Sequence, residues 1–305
     1  MMDICLLGTG GMMPLHNRYL TALLCRYKGN MVLIDCGEGT QVTLNLQGWG
    51  FKSIDAICFT HYHADHISGL PGLLWAISNA GRTEEITIYG PPELERILTG
   101  LLVIAYDLGF PIKIVELEYR EYNEMPIPGT EMFLSCLPLK HGKPCFAYSI
   151  STKRGGKFDL ERAEALNLPK RLWGELQGGN EALFEGRRYT PDMVLGPERE
   201  GFKIAYCTDT RPVKTIPAFI NGADLFICEG LYGDPEKAER ARSHMHMIYQ
   251  EAARLAREGD VKALWLTHYS PAMINPKEFL GVARAIFPGA AAGYDRITKT
   301  LDFGD

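Results

Sequence analysis

Three histidines and an aspartate fall within the six residues His61-Tyr62-His63-Ala64-Asp65-His66. Imidazole and carboxylate are the usual ligands of zinc and similar divalent ions. A single histidine in a loop is normally just solvated; three packed with an acid are hard to assign to surface decoration. The cluster directly follows the apolar run Ala56-Ile57-Cys58-Phe59, which reads as a short buried strand, and precedes Leu70–Ile77, which reads as a helix with Pro71 in its first turn. It therefore sits on a strand-to-helix connection. Side chains at i and i+2 of an extended segment point the same way, so His61 and His63 converge on one point while Asp65 and His66 lie where the chain bends away. That arrangement suits two neighbouring metal ions.

Three further residues of the same chemistry each follow an apolar run: His141 after Leu137-Pro138-Leu139, Asp209 after Ile204-Ala205-Tyr206-Cys207, and His268 after Leu264-Trp265-Leu266. Any one alone reads as a polar turn. Together with the first cluster they complete a two-metal inventory and use five of the eight histidines in the chain, leaving His16, His244 and His246. Asp35 ends the run Met31–Ile34 and precedes Gly37-Glu38-Gly39; it reads either as a plain turn or as a carboxylate that orients a ligating histidine.

The elements that must position these groups alternate. Short apolar strands, at residues 4–7, 31–34, 56–59, 86–89, 146–150, 203–207 and 263–266, are interleaved with helical stretches such as 93–106, which predicts an α/β architecture. With 305 residues and 46% hydrophobic composition the chain can bury a large core. We expect a single domain, 1–305, interrupted at 152–200 by a segment poor in strands and dense in charge of both signs. This inserted arm carries a short helix from Leu160 to Leu166 and a hairpin at Glu185-Gly186, and reads either as a binding arm or as a surface excursion. Its Lys170, Arg171, Arg187 and Arg188 are candidate phosphate contacts, and Trp173 stands either as a stacking residue or as a side chain that docks the arm on the body or a partner subunit.

A net charge of −5 gives no overall pull toward nucleic acid or an anionic membrane, so any RNA contact must be local. The eight cysteines are scattered without a Cys-x-x-Cys pair, as in a reduced, cytoplasmic protein, and no apolar run is long enough to span a bilayer or to serve as a signal peptide. The turn Gly8-Thr9-Gly10-Gly11 lacks the spacing and the lysine of a phosphate loop.

The order His61-x-His63-x-Asp65-His66, His141, Asp209, His268 resembles the metallo-β-lactamase superfamily over nearly the whole chain. Within it, Asp35-Cys36-Gly37-Glu38-Gly39-Thr40-Gln41, Gly69-Leu70-Pro71-Gly72-Leu73-Leu74, Pro138-Leu139-Lys140-His141, Asp209-Thr210-Arg211-Pro212 and Thr267-His268-Tyr269-Ser270 are similar to the ribonuclease Z family, endonucleases that trim the 3′ end of precursor tRNA. The resemblance implies a four-layer αβ/βα sandwich with two mixed sheets, a cytoplasmic homodimer, and two divalent ions, zinc first among the candidates. One would be held by His61, His63, His141 and Asp209, the other by Asp65, His66, Asp209 and His268. It also implies that Asp65 orients or deprotonates the attacking water, that His246, tuned by Glu229, is the general acid, and that Asp35 stands behind a ligand. The plainer reading of His246 is a cap on the helix that follows it.

Three motifs depart from the family. The arm reads Leu168-Pro169-Lys170 where a Gly-Pro pair is usual, the N-terminal loop reads Pro14-Leu15-His16-Asn17-Arg18-Tyr19, keeping only the proline and arginine of its pattern, and His246-Met247-Ile248 keeps only the histidine. These leave a hydrolase of a smaller phosphodiester or a thioester as the alternative. His16 and His244 read as solvent-facing.

Overall fold

The strand at Ile54–Cys58 is apolar because both of its faces are covered: Ile54, Ala56, Ile57 and Cys58 are fully buried. In the computed structural model, which describes residues 1–303, this strand lies in a seven-stranded mixed sheet, parallel to Asn30–Ile34 and Ile86–Gly90. Antiparallel pairing of Met2–Gly8 with Ala22–Tyr27 and with Ile297–Leu301 brings the two ends of the described chain side by side. A second seven-stranded mixed sheet is centred on Lys203–Cys207, Leu225–Glu229 and Leu264–Thr267, all parallel, with Phe146–Thr152 antiparallel beside them.

Each sheet carries helices on one face. Ile54 and Ile57 pack with Leu70, Leu73, Leu74 and Ile77 of the helix Leu70–Asn79 and with Leu94 and Leu98 of the helix Leu94–Leu101. Ala205, Phe226 and Leu264 pack with Tyr249, Ala252 and Ala256 of the helix Tyr249–Glu258. The sheets are tied to each other just past the strand Ile54–Cys58: the Tyr148 hydroxyl donates to the Phe59 carbonyl at 2.8 Å, and the Phe146 amide to the Thr60 carbonyl at 2.9 Å. The expected helix-sheet-sheet-helix sandwich is the observed one.

The helix expected over 93–106 stops sooner, at Leu101, and tightens into a 3₁₀ turn at Leu102–Ile104. Gly100 and the β-branched Val103 and Ile104, both exposed, favour that early end. All eight cysteines are buried and unpaired.

Residues 152–202 form a compact unit with an apolar cluster of their own, including Ala163, Leu168, Leu172, Leu176, Tyr189 and Val194. The helix Leu160–Ala165 and the hairpin Ala182–Phe184/Arg187–Tyr189 lie where the sequence places them. Trp173 is half-buried. Its indole N–H donates to the Leu168 carbonyl at 3.0 Å and its ring meets Phe158 at 5.4 Å, so it packs inside this unit.

Candidate metal centre

The residues singled out by spacing converge at the C-terminal ends of strands, the usual place for a site in an open α/β sheet. His61 and His63 follow the strand Ile54–Cys58, and the single helical turn Ala64–Ile67 carries Asp65 and His66. His141 follows Met132–Pro138, Asp209 follows Lys203–Cys207, and His268 follows Leu264–Thr267. Backbone φ is +60° at Asp35, +54° at Asp209 and +57° at His268. This left-handed conformation is uncommon outside glycine, though Asp and His tolerate it better than most. It turns each side chain sharply off its strand end.

The donor atoms form two groups around Asp209. Its Oδ2 lies 3.6 Å from Nε2 of both His61 and His141, and His63 Nδ1 completes that group at 2.9 Å from His61 Nε2 and 3.3 Å from His141 Nε2. Its Oδ1 faces the other way, 3.4 Å from His66 Nε2 and 3.1 Å from His268 Nε2. Asp65 Oδ2 closes the second group at 3.6 Å from His66 Nε2 and 3.4 Å from His268 Nε2. So many ring nitrogens aimed at one another, with too few protons to share, fit divalent cations by the chemistry of the donor set.

Electrostatics divide the donor set: burial opposes a charge on His66, but Asp209 and Asp35 outweigh it and raise the ring well above its ordinary value. Burial pushes the His61 imidazole well below its ordinary value, helped by His66, so its ring is neutral. Burial alone would raise Asp209, but the imidazoles of His268, His66 and His61 outweigh it and hold the carboxyl well below the usual range. Asp65 is lowered in the same way, burial being overcome by His268 and His66.

Around the donor groups, several neighbours fix orientation. Asp35 is fully buried, its Oδ2 2.8 Å from His66 Nδ1, which leaves His66 Nε2 for the centre. The choice left open for Asp35 is thereby settled against a plain turn. Thr60 links it to the other group: its amide donates to Asp35 Oδ1 at 2.8 Å, and its hydroxyl lies 2.9 Å from Asp35 Oδ2 and 3.1 Å from His61 Nδ1. The Met12 amide donates to Asp65 Oδ2 at 2.6 Å. His268 Nδ1, buried, has no hydrogen-bond partner among the described residues; its ring is held by packing, and a Cβ on Gly11 would lie 2.7 Å from its Cε1. Sequence reasoning missed Thr60, Met12 and Gly11 in these parts. Only Thr60, a hydroxyl next to a candidate ligand, offered a signal.

His246 lies beside the centre, its ring 5.0 Å from that of His141 and 5.6 Å from that of His268. It is not a helix cap, since Ile248 occupies that position and Glu251 accepts the Ile248 amide at 3.1 Å. Fully buried Glu229 holds His246 Nδ1 at 3.1 Å and also accepts the amides of Met247 at 3.1 Å and Thr210 at 2.6 Å. Burial opposes a charge on His246, but Glu229 prevails and raises it to about 9. Arg211, paired with Glu251, donates to the His246 carbonyl and anchors the same loop. His16 and His244 are exposed and stand outside this assembly. Arg18 spends its guanidinium on the carbonyls of Ser270, Met273 and Ile274 at 3.3, 2.8 and 3.1 Å.

Comparison with known proteins adds lineage to geometry. A family model described as anti-Pycsar protein Apyc1 matches residues 2–102. The ribonuclease Z of Agathobacter rectalis is 50% identical over 306 residues, covering all of both chains, and that of Clostridium kluyveri is 50% identical over 303 residues, covering 99% of each. Among solved structures, human tRNase Z, short form, superposes with a TM-score of 0.69 at 23% identity over 99% of this chain and all of that one. The metallo-β-lactamase fold protein YhfI from Bacillus subtilis gives 0.69 at 20% identity over 98% of each. The structural likenesses establish the fold, and the full-length identity goes further: this chain belongs to the ribonuclease Z family.

Proposed function

We propose that the protein is an endoribonuclease that removes the 3′ trailer from precursor tRNA. The observation that carries this reading is Asp209, whose two oxygens address two separate groups of donors in a chain half identical to enzymes named ribonuclease Z. In our reading His61, His63, His141 and Asp209 would hold one zinc ion, and Asp65, His66, Asp209 and His268 a second. Such a pair supplies an activated water and a clamp for the charge that develops on phosphate during in-line displacement.

The chain's own groups do the rest. Asp65, held by the Met12 amide, keeps a carboxylate oxygen at the centre to orient the water and accept its proton. His246, kept in its protonated form by Glu229, donates a proton to the departing 3′ oxygen and meets the charge of the scissile phosphate. Thr60 and Asp35 hold the rings of His61 and His66 at the angle their ligation needs.

We read residues 152–200 as a substrate-binding arm of a single-domain protein, with Lys170, Arg171 and Arg187 exposed for phosphate contact. No described helix is long and apolar enough to cross a membrane; a cytoplasmic homodimer is our further reading, supported by the family.

The test is cleavage of a precursor tRNA bearing a 3′ trailer by purified, metal-quantified protein beside an Asp65→Ala variant. Cleavage near the discriminator nucleotide that is lost in the variant supports the proposal. Hydrolysis of bis(p-nitrophenyl) phosphate without any cleavage of precursor tRNA overturns it.

A further inference from the structure

Arg211 lies two residues past Asp209, and the loop of that carboxylate grips His246, the proposed proton donor, from both ends. At the ring end the Thr210 amide donates to Glu229 Oε1 at 2.6 Å, while Glu229 Oε2 lies 3.1 Å from His246 Nδ1. At the backbone end the Arg211 guanidinium donates to the His246 carbonyl. The same guanidinium is paired with Glu251, Nη1 to Oε2 at 2.9 Å and Nη2 to Oε1, a bidentate arrangement that fixes its plane. The Arg211 amide donates to the Lys140 carbonyl at 3.1 Å, so the residue before His141 is tied to the same point.

The segment 244–248 that carries His246 is weakly determined by its own sequence. It joins the helices Ala238–Ser243 and Tyr249–Glu258 through Met245 at φ +62°, a left-handed conformation uncommon outside glycine. The cap position of the second helix is Ile248, whose side chain has no oxygen to accept the first free amides. Glu251 folds back instead and accepts the Ile248 amide at 3.1 Å through Oε2, the oxygen that also takes Arg211. The His246 amide is tied to the preceding helix, donating to the Ala241 carbonyl at 2.8 Å, and its carbonyl to Arg211. Glu229 sets the rotation of the ring; how far the ring stands from Asp209 depends on where this backbone lies. A proton donor acts only within hydrogen-bond reach of the departing oxygen, and a displacement of about 1 Å costs about 100-fold in rate. Resting on the function proposed above, we propose that Arg211 is a positioning residue: it holds His246 in place against the donor groups around Asp209, so that the proton reaches the 3′ oxygen as its bond to phosphorus breaks.

The experiment uses full-length, metal-loaded protein and two precursor tRNAs that differ in one atom, the 3′ oxygen of the scissile bond being sulfur in the second. Water attacks phosphorus in both; the oxygen leaves with a proton from His246, whereas sulfur leaves as a thiolate that needs none. Arg211→Ala should lose about 10- to 100-fold in kcat on the oxygen precursor, with KM unchanged, and no more than about threefold on the sulfur precursor. His246→Ala should show the same selectivity. Adding Arg211→Ala to it should cost no more than about twofold further, because the arginine acts through that ring. Arg211→Lys keeps a charge beside Glu251 but lacks the fork that reaches both partners, and should fall between. The ratio of the two rates does not depend on how much of a variant is folded, and metal content is measured for each. Wild-type rates for Arg211→Ala, equal losses on the two precursors, or independent losses in the double variant overturn the positioning role and leave the tRNA reading intact. Failure of the wild type on both precursors, with bis(p-nitrophenyl) phosphate hydrolysed, overturns the tRNA reading. Arg211→Ala must then lose more on diphenyl phosphate, which has the poorer leaving group, than on bis(p-nitrophenyl) phosphate, and equal losses overturn the role as well.

Discussion

His246 and Asp35 make different demands on the same buried chemistry, and their variants should separate. His246→Ala removes the proposed proton donor but none of the residues proposed above to hold the two ions. We expect kcat on precursor tRNA to fall by about 10²- to 10⁴-fold with metal content unchanged, checked by single-turnover kinetics beside metal analysis. Asp35→Ala removes the acceptor that fixes His66 Nδ1. Metal affinity should fall about 10- to 100-fold, read by competition with a chelator, and activity should return when metal is supplied in excess. The candidate ligands were legible in the sequence because histidines and acids at strand ends are chemically conspicuous. Their supports were not, because a backbone amide such as that of Met12 carries no residue-type signature, and the part played by Gly11 depends on His268, distant in sequence and adjacent in space.

At the scale of elements, the strands were legible from their apolar runs, since strands covered on both faces leave little room for anything else. What the runs did not reveal was how each strand ends. The left-handed turns at Asp35, Asp209 and His268 leave no mark in an apolar run. Register, too, rests on side chains the periodicity does not mark. Asp3 sits opposite Arg26 on one side and Thr300 on the other, accepting from Arg26 at 2.8 Å and from the Thr300 hydroxyl at 2.7 Å. Its slight burial raises the carboxyl, but Thr300 and Arg26 outweigh that and leave it below its ordinary value. A lowered acid binds its proton less tightly folded than unfolded, so this contribution is present above the unfolded value of about 4 and disappears as pH falls through the folded one. Asp3→Asn should cost about 0.5 kcal/mol at neutral pH, because the pair is partly exposed and screened. Urea unfolding of the two proteins should show the gap closing as pH falls below the unfolded value of about 4.

For the whole molecule, the arm tests how far chemistry and recognition are separable. The sequence marked its limits by a change in texture, yet its charge density concealed an apolar cluster built from residues too few to suggest a core of their own. Its ends are held together: the Thr152 amide donates to the Phe202 carbonyl at 2.9 Å, the Phe202 amide to the Thr152 hydroxyl at 3.0 Å, and the Arg199 amide to the Arg154 carbonyl at 3.0 Å. Just beyond them Ser151 faces Lys203 in the pairing of Phe146–Thr152 with Lys203–Cys207. Removing the residues between Arg154 and Arg199 and joining the ends with a short glycine linker therefore asks nothing new of the sheet that carries Asp209. The shortened protein should keep its metal and hydrolyse bis(p-nitrophenyl) phosphate within about twofold of the full chain, the centre being intact. On precursor tRNA its KM should rise about tenfold or more, through lost phosphate contacts, and the salt dependence of the reaction should flatten. Equal KM values with and without the arm would show that tRNA is recognised by the sandwich alone.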